Sequence, residues 1–131
     1  MSNRIATLLV LALAASPAIA LADQPKTGDL DQRVRCSAIF ALLARDQNLK
    51  LPEAAAYPPM DDKGKAFFMD TGMRLFAERK VEPGTVRAFF QGEVDKFQGE
   101  VVAAKDPKAH FDAAFRSCQH YLTEVPPAPA R

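Results

Sequence analysis

The chain holds two cysteines, Cys36 and Cys118, and what lies between them decides what it can fold into. Proline-bearing breaks at Pro52 to Pro59, Glu82-Pro83 and Asp106-Pro107 cut the sequence into helix-length segments, because proline lacks an amide donor and clashes with the preceding turn of a helix. Four such segments result, with apolar residues at helical spacing and no run at the period of a strand. The fold class is therefore all-α: a small four-helix bundle in up-down-up-down order. The last two connections are a few residues long and force antiparallel neighbours. With a reversal at the first connection as well, the start of helix one lies beside the end of helix four, which is where Cys36 and Cys118 stand. A disulfide between them closes almost the whole mature chain into one loop, worth on the order of 4 kcal/mol in the chain-entropy model.

Residues 1–22 stand apart from the fold. Arg4 is followed by an apolar run, Ile5 to Ala15, of roughly the ten residues typical of a secretory signal. Ala18-Ile19-Ala20 and Ala20-Leu21-Ala22 are overlapping small-x-small cleavage sites, and cutting after Ala22 leaves a polar mature start. The expected location is the periplasm, where two lone cysteines are bonded rather than reactive. Cleavage removes Arg4 and no acid, so the charge falls from +1 to about zero. A near-neutral chain with mixed signs has no electrostatic footprint for nucleic acid or an anionic membrane surface, and the mature form has no membrane span.

Residues 23–28 read as a flexible lead-in, 29–125 as the helical domain and 126–131 as a disordered proline-rich tail. Asp29 is placed to cap helix one, with Gln32 completing a capping box. Ala38 to Ala44 is apolar all round, the mark of a helix enclosed by its neighbours. The proline-rich link from Lys50 to Pro59 is the longest connection and the natural place for a functional loop. On helix two, Phe68, Met69, Gly72, Met73, Leu75 and Phe76 form the inward side, leaving Phe67 among polar residues. Helix three carries Val86, Phe90, Val94, Phe97, Val101 and Ala104 at steps of four and three. Its row Ala88, Gly92, Gly99 and Ala103 reads either as the track of a closely approaching helix or as a set of tolerated weak points, since glycine there costs about 1 kcal/mol relative to alanine. Helix four turns Phe111, Ala114, Phe115, Cys118, Leu122 and Val125 inward.

No catalytic constellation stands out: there is no G-x-S-x-G, no phosphate-binding glycine loop and no histidine beside a nucleophile. Covalent haem attachment requires C-x-x-C-H, which Cys118-Gln119-His120 does not supply. His110 and His120 fall away from the inward stripe, and ten helical residues, about 15 Å, keep them from sharing an ion. Met60, Met69 and Met73 are candidate thioether ligands for cuprous copper, although methionine on an apolar helix face is ordinarily core filler. The reading therefore assigns no cofactor and no metal. Adjacent helical side chains diverge by about 100 degrees, so Phe67-Phe68 and Phe89-Phe90 each direct one ring outside the core stripe. Phe67, Phe89 and the loop residue Tyr57 are the candidate interaction surface.

In the run Cys36 to Leu43, in Tyr57-Pro58-Pro59, in Gly72-Met73 and in the late Cys118, the chain resembles uncharacterised small exported helical proteins of proteobacteria with one disulfide. The resemblance implies a fold and no activity. In plan it is also similar to acid-activated periplasmic chaperones and to periplasmic immunity proteins. The expected function is non-enzymatic: helix-surface contact with another envelope protein or with itself, in the manner of a chaperone, inhibitor or immunity protein. The alternative is a carrier of a small ligand or cofactor, haem or copper, held between helices.

Overall fold

The computed structural model describes residues 27–124 of the chain; the expected signal peptide, most of the lead-in and the tail lie outside them. Five helices and one tight turn follow in order: α1 (Thr27–Asn48), a 3-10 turn (Pro52–Ala56), α2 (Lys63–Arg79), α3 (Pro83–Ala103), α4 (Pro107–Cys118) and the short α5 (Tyr121–Glu124). No strand occurs among the described residues.

Helix α1 is the hub, packing against α2, α3 and α4. Ala38, Ile39, Phe40, Leu42 and Leu43 are all buried, as expected for a stretch apolar on every side. Phe40 meets Phe67 of α2 edge-on, with ring centroids 5.4 Å apart, and Phe115 of α4 at 6.0 Å. Arg35 bonds Glu100 of α3 at 2.5 and 3.2 Å and lies over the Phe97 ring. That bond holds the Glu100 carboxyl below its ordinary value. Leu30 and Val34 join Leu75 and Phe90 in a second apolar cluster near the start of α1. These pairings run α1 parallel to α3 and antiparallel to α2 and α4, the up-down-up-down order.

Cys36 and Cys118 form the disulfide, with Cα atoms 5.4 Å apart and both side chains fully buried. Prolines open α3 and α4 at their first positions, where the missing amide hydrogen costs nothing. Asp106 caps α4 by accepting from the Ala109 amide at 3.0 Å. Lys50 after α1 and Lys80 after α2 take left-handed backbone, with φ 55° and 54°. After α1 the Leu51 amide reaches back to the Asp46 carbonyl at 3.0 Å and the Lys50 amide to that of Gln47 at 2.9 Å, a Schellman ending, while after α2 the Val81 amide closes a wider turn on the Leu75 carbonyl at 3.4 Å.

Three local expectations need correction. Asp29 lies inside the first turn of α1, and its carboxylate accepts from the Tyr121 hydroxyl at 2.7 Å, so it ties α5 to α1. The last helix does not run unbroken: after Cys118 it tightens into i to i+3 bonds, Leu122 to Gln119 and Thr123 to His120. This turn brings Tyr121 inward. Gly92 and Gly99 of α3 face open space, so the row of small residues marks no helix approach. The proline-rich link is pinned to α1, because Gln47 donates to the Pro58 carbonyl at 2.9 Å and accepts from the Met60 amide at 3.0 Å. Ala54 and Met60 are buried beneath it.

Candidate functional site

A fourth correction, the face that α2 turns inward, creates the candidate site. Gly64, Phe67, Thr71 and Leu75 are its buried residues, spaced three, four and four apart. Met69, Met73 and Phe76 are left 59%, 64% and 54% exposed, and Phe68 lies at the boundary, stacked on Phe90 at 4.3 Å.

A buried arginine accounts for this choice. Arg33 of α1 is held between two rings, 4.6 Å from the Phe67 centroid and 5.0 Å from that of Tyr121. It bonds Asp70 of α2 at 2.5 Å. A guanidinium out of water requires such a partner, and Asp70 reaches it only with the Phe67 side of α2 turned towards α1. Gly64 assists, since a Cβ there falls 3.2 Å from that of Met60. Thr71 is the polar cost, its hydroxyl buried with no partner. Helix α2 has two apolar faces, and this cluster fixes which one is enclosed.

The other face borders α3. Met69, Gly72, Met73 and Phe76 together with Pro83 and Val86 line an open groove of about 520 Å³. Its floor is Gly72, where an added Cβ would meet Phe90 and Val86 at ordinary contact distance, 3.8 Å each. Exposed methionines give such a groove an adaptable, polarizable surface of the kind used at binding faces.

The three residues expected to form an interaction surface do not come together. Phe67 is fully buried and is a core residue, because Arg33 and Tyr121 enclose it. Phe89 is 38% exposed on α3 and is not among the residues lining the groove. Tyr57 packs edge-on against Phe111 and Phe115, at 5.5 and 5.1 Å, and its hydroxyl donates to Asp112. Burial and that carboxylate push the Tyr57 phenol up to about 12.

The residues weighed for metal or haem are also dispersed. Met60 is buried against Gly64 while Met69 and Met73 point outward, so the three thioethers do not converge. His110 stacks on Phe97 with Nε2 3.8 Å from Glu100, and His120 lies against Tyr121 at the surface. His110 therefore lies between α4 and α3 rather than falling away from the inward side as expected, because Phe97 offers it a ring to stack on and its Nε2 is buried there, whereas His120 stays at the surface.

Comparison with protein-family models, with curated proteins and with solved structures gives no match to this chain. Among the described residues, no helix is long and apolar enough to cross a membrane.

Proposed function

We propose that this is an exported periplasmic protein without enzymatic activity, which works through a protein contact on the outer face of α2 beside α3. The observation that carries the reading is the exposure of Met69, Met73 and Phe76, three large apolar side chains on successive turns of one helix. A monomer gains nothing from leaving such a patch in water, whereas a partner helix laid in the groove removes it. The disulfide supports an oxidising compartment, and the signal-like start supports export. Binding in the manner of a chaperone, inhibitor or immunity protein is the class of activity this face suits.

The test is co-purification of the tagged mature protein from its native host, beside a Met69→Asp/Met73→Asp variant checked for helicity and for an intact disulfide. A protein retained by the wild type and lost from the variant is the expected result. Equal behaviour of the two, with no self-association, overturns the reading.

A second reading rests on the hollow of about 630 Å³ between the end of α1 and the start of α2, lined in part by Ala41, Ala44, Met60 and Phe68. A small apolar ligand fits that size. Native mass spectrometry of protein drawn from the envelope tests it, and material carrying no ligand removes it.

A further inference from the structure

The outer stripe of α2 extends beyond its apolar centre. Asp62, Ala66, Met69, Met73, Phe76 and Lys80 follow one another at steps of four, three, four, three and four, the spacing of a coiled-coil seam. Asp62 is the N-cap residue of α2 and Lys80 its C-cap residue, in left-handed backbone just past the last helical turn, so the two charges flank the helical seam that runs from Ala66 to Phe76. Both are exposed, and among the described residues neither takes part in an ion pair.

The stripe is symmetric about Thr71. Position 62 mirrors 80, 66 mirrors 76, and 69 mirrors 73. Two such helices laid antiparallel therefore match at every layer: acid against base at both ends, the small Ala66 against the large Phe76, and Met69 against Met73. A parallel arrangement sets Asp62 against Asp62 and Lys80 against Lys80.

We propose that the occupant of this face is a second copy of the chain, its α2 lying antiparallel across the first with Asp62 of each copy paired to Lys80 of the other. The proposal rests on the reading of this face as a protein contact and names its partner. A twofold, self-complementary interface is the common way for one patch to serve both subunits. Gly72 leaves the seam recessed beside α3, where the long Met69 and Met73 side chains of the other copy pack.

The test is sedimentation equilibrium of the oxidised mature chain and of Asp62→Lys and Lys80→Asp variants, each confirmed helical. The wild type is expected to dimerise at micromolar concentration. Each single reversal places two like-charged pairs in its homodimer and weakens it about tenfold. In an equimolar mixture of the two single variants, the heterodimer again sets opposite charges against each other at both ends of the seam. That mixture recovers the wild-type strength, as does the double reversal. A monomer at all concentrations, a dimer indifferent to both reversals, or a mixture no stronger than its components overturns the proposal. A monomer that still loses a different partner on Met69→Asp/Met73→Asp substitution refutes self-pairing and leaves the contact face standing, whereas one indifferent to that substitution removes both.

Discussion

Arg33 and Asp70 meet at 2.5 Å with the guanidinium buried and the carboxylate still reached by water. Removing the acid alone leaves the buried guanidinium between Phe67 and Tyr121 with Glu124, 3.8 Å away, in place of a direct hydrogen-bonding partner. Asp70→Ala is expected to cost about 2 to 3 kcal/mol, the range for a hydrogen bond to a charged group. Adding Arg33→Met, which refills the space with apolar atoms, is expected to recover most of that loss. Urea unfolding of the two variants checks both values.

The Cys36–Cys118 bond spans 82 positions. Replacing both cysteines by alanine is expected to lower stability by about 4 kcal/mol, read from urea midpoints with and without reductant. Because both sulfurs are buried, reduction of the wild type should proceed at the rate at which α1 and α4 separate and level off with reductant concentration.

Alkaline titration has a clear optical signature, since the chain has two tyrosines and no tryptophan. Burial and hydrogen bonds to Asp112 and Asp29 raise Tyr57 and Tyr121 to about 12. The unfolded chain releases these protons near the ordinary value of 10, so the stability they lend is complete below that pH and lost as pH rises towards 12. Ultraviolet absorbance of phenolate should therefore rise late in the native protein and near the ordinary value in urea. At the acid end the sign reverses. Bonds from Arg79, Arg35 and Lys108 depress Asp31, Glu100 and Asp112, so what these carboxylates contribute is present above their unfolded values and disappears as pH falls through the native ones.

Lys50 adopts backbone that glycine takes without strain. Lys50→Gly is expected to stabilise the domain by about 1 kcal/mol, which raises Tm by roughly 4 to 8 °C. Thermal denaturation followed by circular dichroism measures the shift.

Where the apolar residues of a helix recur in one dominant stripe, the sequence is decisive. On α3 the expected stripe is buried or half-buried at each of its six positions, and the proline starts of α3 and α4 fall where expected. Helix α2 defeats the same logic because its outer stripe is as apolar as its inner one. What decides between them is a contact from Arg33, thirty-seven positions away from Asp70, which local periodicity does not register. Asp29 misleads for the same reason: a residue suited to capping is used by a tyrosine from the far end of the chain. The candidate groove was thus hidden among residues assigned to the core, and the available signal was the seam spacing from Asp62 to Lys80.

The two sulfurs also bear on how the domain matures. Cys36 belongs to α1, the first of the described helices, and Cys118 to the end of α4, so nearly the entire domain must be delivered before they meet. With no third thiol in the chain, there is no mispaired intramolecular isomer to unscramble. One oxidation event suffices, and it doubles as a chemical record that α4 has docked on α1.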